Sequence, residues 1–486
     1  MKVVVIGAGF GGLATAALMA KEGHKVTLLE KNNYLGGRAK VTKAGGFTFD
    51  MGPSWYMMPD LFDRYFNLLN KKTSDYYQLV KLNPSYEVFG NDKSLLMGDY
   101  LLTKKNFSLI SQKDAARLKA YLQNGQQKYK FAKKYYLFNN YRNFTKLPFS
   151  SLPYLLASNP LQSYDSFVNK YFQDELIRRT MKFMTVFLGG SPKSISSLYS
   201  LLGYADINLG IWYPLGGFGS IVKAFEKLNK EYGVNIKTNH PVDEIIIKNS
   251  KVVGVKSKNN TVLADIVISN ADYKFTEQKL IKKINDRSYS KKYWDKISMS
   301  PSAILIFIGL NKKLAKLKHH SLFFDANWQE HFDSIKTKRV IENPLFYVST
   351  PSKTDPSVSP KGKENIFILI PTPSGVKPTE KQIEKIFNNV IGRMESKLQT
   401  NIKDFIEVKI IKDMSYFENE FNSYKGSSFG ASHTTRQSAI LRPRLKGKKV
   451  KGHYFVGQYT NPGTGVPLVI SSAELIRDYI NEDYKK

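Results

Sequence analysis

Residues 2–12, KVVVIGAGFGG, decide the fold. Val3–Ile6 is an apolar, β-branched run of strand length that breaks at once into glycines. Gly7 permits a tight turn, Gly9 lets backbone N–H groups approach a pyrophosphate, and Gly12 lets the following helix press against the strand. That helix is predicted over the small-residue segment Leu13–Lys21, and a second strand over Lys25–Leu29. Glu30 closes the second strand, at about the distance expected of an acid that binds ribose hydroxyls. Strand, helix and acid fall in register, so the opening reads as a dinucleotide-binding βαβ unit.

Further along, Gly36-Gly37-Arg38 would add backbone and a guanidinium beside phosphates or a ribityl chain. Phe49-Asp50-Met51-Gly52-Pro53-Ser54 makes a rigid turn suited to a flat ring. Residues 160–210 read helical. The α/β texture returns over 216–275, with a helix at Ser220–Tyr232 and strands at Val234–Lys237, Asp243–Lys248, Lys251–Lys256 and Val262–Ser269 around a turn at Asn259-Asn260. Residues 300–425 mix strands at Ala303–Leu310, Ile366–Ile370 and Phe405–Asp413 with a long helix at Lys381–Leu398. The last sixty residues are again glycine-rich. A nucleotide domain interrupted by other material accounts for this alternation.

The 486-residue length suits two or three domains, and 42% apolar with 23% charged residues is an ordinary globular composition. The chain has no cysteine, which excludes disulfides, thiolate metal sites and a flavin tethered through a thioether; no metal site is expected. MKVVVIGAG does not read as a signal peptide, and no stretch approaches the ~20 apolar residues of a spanning helix. Lys+Arg 73 against Asp+Glu 41 gives a net charge of +32, which calls for a polyanionic neighbour, nucleic acid or an anionic membrane. Much of the excess lies in 110–160, where Lys113, Arg117, Lys119, Lys128, Lys130, Lys133, Lys134, Arg142 and Lys146 interleave with tyrosines and phenylalanines. No nucleic-acid-binding signature accompanies them. A membrane surface is therefore the expected partner, and nucleic acid is not.

Gly7–Gly12, Glu30, Gly36-Gly37-Arg38 and Phe49–Ser54 resemble the opening of the flavin amine oxidase and carotenoid desaturase superfamily. Trp212–Gly217 followed by His240–Ile245 resembles its middle flavin segment. Gly426–Gly430, Gln437 and Arg442-Pro443 resemble the stretch before the last motif, and His453–Glu474 is similar to the bacterial carotenoid desaturase signature. The resemblance runs from residue 1 to about 480.

It implies a mixed α/β fold with a discontinuous Rossmann-like FAD-binding domain (1–85, 216–275, 425–486). A substrate domain (86–110, 276–424) and a helical, membrane-associating region (111–215) complete the expected organisation. It implies non-covalent FAD held by Gly7, Ala8, Gly9, Gly11, Gly12, Glu30, Lys31, Gly37, Arg38, Gly52, Pro53, Ser54, Val242, Gly457, Gly465, Val466 and Pro467, with Val242 at the adenine. The implied reaction is removal of hydride and proton from a linear polyene such as phytoene or 4,4'-diapophytoene, the thirty-carbon substrate being preferred. Oxygen or a quinone would be the final acceptor, and the protein would sit peripherally on the cytoplasmic side of the membrane.

No catalytic base is assigned; His433, Glu420 and Asp165 are each expected to be structural or solvated rather than catalytic. Asn461 stands where relatives commonly carry histidine, so an imidazole base is not expected there. The alternatives are a flavin amine or porphyrinogen oxidase, a carotenoid isomerase or terminal oxidase, and a non-catalytic prenyl-chain binder. Intact glycines at 7, 9, 12, 457 and 465 argue for a retained cofactor and against the last.

Overall fold

The structure is a computed structural model that describes residues 1–139 and 159–484. Its first element, β1 (Lys2–Ile6), runs into α1 (Phe10–Lys21) and back into β2 (Lys25–Leu29). β1 pairs in parallel with β2 and with Ile266–Ser269. His453–Phe455 and Asn235–Lys237 complete a five-stranded sheet drawn from the start, middle and end of the chain.

The period of two in β1 shows why its whole run is apolar. Val3 and Val5 face a helical layer, whereas Val4 and Ile6 pack with Ile245, Val252 and Val255 of a small antiparallel sheet on the other side. α1 packs on Phe218–Glu231 and on Val466–Tyr484. Gly11, Gly12, Ala14, Ala16 and Ala17 are buried, so three helices and a sheet approach closely.

The expected strand Val262–Ser269 is corrected to two. Asn260–Leu263 belongs to the small antiparallel sheet and Ile266–Ser269 to the parallel one. Between them Asp265 bonds Lys2 in both directions: its carboxylate accepts the Lys2 N–H at 2.8 Å, and its own N–H donates to the Lys2 carbonyl. That anchor ends one sheet and starts the next.

A seven-stranded sheet forms the second layer, ordered 406–412, 302–310, 364–372, 346–349, 320–323, 86–89, 94–97. Ile304, Ile306 and Ile308 face the helix Glu380–Leu398, which opens with a Thr379–Gln382 capping box. Ala303, Leu305 and Phe307 face the opposite way, into the main core. Two helices, Tyr100–Ile110 and Gln112–Tyr135, start on the caps Asp99 and Ser111. Lys128 on the second is buried and Lys133 pairs with Asp60 at 2.5 Å, so neither is a free surface charge. Arg142 and Lys146 lie outside the described residues. Among the described residues no helix is long and apolar enough to cross a membrane.

Candidate functional site

One cavity opens at the C-terminal edge of the parallel sheet, where ligands of open α/β sheets bind. Gly7, Gly9, Gly11, Glu30, Lys31, Gly37, Arg38, Gly52, Pro53, Ser54, Val242, Gly465, Val466 and Pro467 all line it. Ala8, Gly12 and Gly457 stand behind that lining: Ala8 donates its N–H to Glu30 Oε2 at 2.7 Å, and Gly457 donates to Ser472 Oγ at 3.1 Å. A Cβ at Gly12 would lie 1.9 Å from the Gly7 carbonyl oxygen, and one at Gly52 2.1 Å from that of Arg38. Both positions are closed to any other residue.

α1 begins beside the cavity without a side-chain cap and without an acid in its first turn, so its partial positive charge is left for an anion. Asn270, which follows the strand Ile266–Ser269, buttresses the turn. With its amide in the orientation that satisfies both ends, its oxygen accepts from Gly9 and Gly12 N–H at 3.3 and 3.2 Å. Glu30 accepts from Ala8 and, at 2.9 Å, from Asn32; burial raises its pKa and these two N–H groups hold it back down. Arg38 donates to Ser423 Oγ at 3.0 Å and to the Ser427 carbonyl at 3.3 Å, while its buried Nε finds no partner among the described residues. An uncapped helix terminus, a carboxylate at the strand end and an orphaned guanidinium donor fit a dinucleotide carrying a polar ring system.

The other end of the cavity is different. All its charged lining residues, Glu30, Lys31, Arg38, Asp272 and Glu420, belong to the glycine end. Beyond Ser54 the wall is mostly aliphatic and aromatic, with Ser302 and His331 among it. Trp55 is its hub, with ring centroids 5.2 Å from Tyr86, 5.6 Å from both Phe183 and Phe187, and 5.9 Å from Tyr347. Phe324, Trp328 and Phe417 continue it. The reading of the sequence missed Asn270 and this aromatic wall. The strand end preceding Asn270 was a usable signal; the lining aromatics of the wall come from five separated segments and left none.

The remaining candidates are engaged in structure. His433 is buried and kept neutral, its Nε2 accepting from Thr464 N–H at 3.1 Å and its Nδ1 2.8 Å from Tyr199 Oη. Glu420 pairs with Lys40 at 2.7 Å, and Asp165 with Lys182 at 2.7 Å. Asn461 Oδ1 accepts from Tyr136 at 3.0 Å.

The family model for flavin-containing amine oxidoreductases matches residues 10–476. The chain is 34% identical to a carotenoid 3,4-desaturase of Haloarcula japonica, over 99% of this chain and 98% of that one. It is 31% identical to a zeta-carotene-forming phytoene desaturase of Myxococcus xanthus (98% and 93%) and 30% to a 4,4'-diapophytoene desaturase of Staphylococcus aureus, over the full length of both. Among solved structures, an oxidoreductase from Methanosarcina mazei superposes with a TM-score of 0.65 at 18% identity, covering 98% of this chain and all of that one. The glycine cleft, its acid and its guanidinium thus sit in a chain that belongs to the flavin-containing amine oxidoreductase family.

Proposed function

We propose that the protein is an FAD-dependent desaturase of carotenoid precursors. The observation that carries this is a single cavity with polar, dinucleotide-fitting walls at one end and an uncharged aromatic chamber at the other. Flavin, when bound, supplies a two-electron acceptor that no side chain offers. The chain's own residues do the rest. Gly9, Gly11 and the α1 terminus hold the pyrophosphate, Glu30 the ribose hydroxyls, Val242 the adenine, and Arg38, Gly52–Ser54 and Gly465–Pro467 the ribityl and ring end. Binding is non-covalent. The chamber excludes water and orients an apolar chain by shape, since a hydrocarbon offers no polar handle. Its aromatic faces stabilise positive charge that develops along the polyene.

The parallel sheet and its helices form the FAD-binding part, the seven-stranded sheet the substrate part, and 111–215 the membrane-associating part. Exposed Lys113, Lys119 and Lys130 within 111–215, with exposed Leu101, Leu109, Lys104 and Lys105 on the helix just before it, support an anionic bilayer as partner. The protein would work peripherally on the cytoplasmic side, passing electrons to oxygen or a quinone. Named relatives act on carotenoid precursors of more than one kind, and we propose 4,4'-diapophytoene as the first substrate. Expression in cells that make thirty- or forty-carbon precursors tests this. Coloured, more conjugated products in the thirty-carbon strain are expected. Colour only in the forty-carbon strain would reassign the substrate, and none in either would overturn the reading.

A further inference from the structure

Desaturation takes a hydride from one carbon and a proton from its neighbour. The proton needs an acceptor inside a chamber whose charged residues all stand at the other end. Tyr347 and Ser54 both face the cavity where the apolar wall begins, and their hydroxyl oxygens lie 2.8 Å apart. Behind them, His320 Nδ1 lies 2.7 Å from Tyr347 Oη. His320 is fully buried and stacked on Trp55 at 4.5 Å and 12°. Its Nε2 has no hydrogen-bond partner among the described residues. A buried imidazole whose one polar contact is a cavity-facing phenol is poorly explained as scaffolding.

We propose that Tyr347 accepts the substrate proton and passes its own to His320. This rests on the desaturase reading. Once hydride has left, the C–H bond on the carbon next to the allylic cation breaks, and its electron pair becomes the new C=C bond. The proton forms an O–H bond at Tyr347 Oη as the original O–H breaks toward His320 Nδ1. Cation plus neutral imidazole thus become neutral alkene plus imidazolium. The step uses the tautomer with Nδ1 bare and turns the Tyr347 hydroxyl onto His320, with Ser54 donating in its place. Burial holds the His320 pKa well below its ordinary value, so the ring is neutral when substrate arrives and keeps the proton only briefly. A weak base suffices, because a C–H beside a carbocation is strongly acidic. Tyr347 is the catalytic residue; His320 acts through it.

The test uses Tyr347→Phe and His320→Gln, each loaded with FAD and given diapophytoene or phytoene in phosphatidylcholine–phosphatidylglycerol vesicles. Both variants are expected to lose about 10²–10⁴-fold in turnover, the range of a positioned general base. Polyene binding, read by quenching of tryptophan fluorescence, stays at the wild-type level. A solvent deuterium isotope effect seen in the wild type disappears in both. Turnover and isotope effect unchanged in Tyr347→Phe would overturn the relay, and so would loss of polyene binding in step with activity, which marks a packing role. Should Tyr347→Phe fail to fold, His320→Gln, which keeps the phenol, decides alone. If the wild type converts neither precursor, the desaturase reading falls and the relay with it.

Discussion

Glu30 carries two separable duties, and a pair of substitutions tells them apart. Its carboxylate holds the Ala8 and Asn32 amides while standing in the cavity. Glu30→Ala removes both and leaves buried donors unpaired, at about 1–3 kcal/mol each, so FAD retention measured by fluorescence should weaken by about tenfold or more. Glu30→Gln keeps an acceptor and should lose less. Asp206 supplies a different check. It is buried, accepts from Tyr86 at 2.7 Å, and burial raises its pKa to about 7. Its folded value lies above its unfolded one, so its contribution to stability is complete below about pH 4 and is lost as pH rises toward 7. The decline is at most about 1.4 kcal/mol per pH unit. Asp206→Asn should flatten the fall in thermal midpoint across that window, leaving the part due to other buried carboxylates, Asp50 among them, whose pKa burial likewise raises to about 7. Glu30 was legible because its spacing from a glycine motif is a local regularity. Asp206 and His320 were not, since burial is decided by segments far away in sequence.

At the scale of elements, the β1–α1–β2 unit was legible almost to the residue because strand period, glycine turn and small-residue helix agree with one another. α1 begins at Phe10, three residues before the expected Leu13, because its first turn is made of the glycines themselves. The break in Val262–Ser269 could not be read: both halves are apolar, and the interruption is set by the pairing of Asp265 with Lys2. The tight turn yields the sharpest prediction at this scale. In Gly12→Ala the new methyl would meet the Gly7 carbonyl oxygen, a backbone atom that cannot swing aside. The yield of soluble, flavin-bound protein should fall to a small fraction of wild type, whereas Gly23→Ala, with open space around it but φ of +80°, should cost only about 1 kcal/mol in stability.

The whole molecule brings residues from both ends of the chain to one cavity. Of the basic residues in 110–160, Lys128 is buried and Lys133 is paired with Asp60, so the proposed membrane attraction would fall to exposed lysines such as Lys104, Lys105, Lys113, Lys119 and Lys130. Replacing these five with Gln should weaken sedimentation with anionic vesicles, most visibly at low salt, while flavin content stays the same; unchanged sedimentation would move the contact to another face. The central claim, that flavin and an apolar chain meet in one chamber, is tested most directly without oxygen. FAD-loaded protein is mixed with diapophytoene or phytoene in vesicles, and the flavin and polyene bands are followed together. Bleaching of the flavin in step with a red-shifted polyene band is the expected result. A flavin that stays oxidised with both hydrocarbons yet bleaches with a simple amine would contradict it.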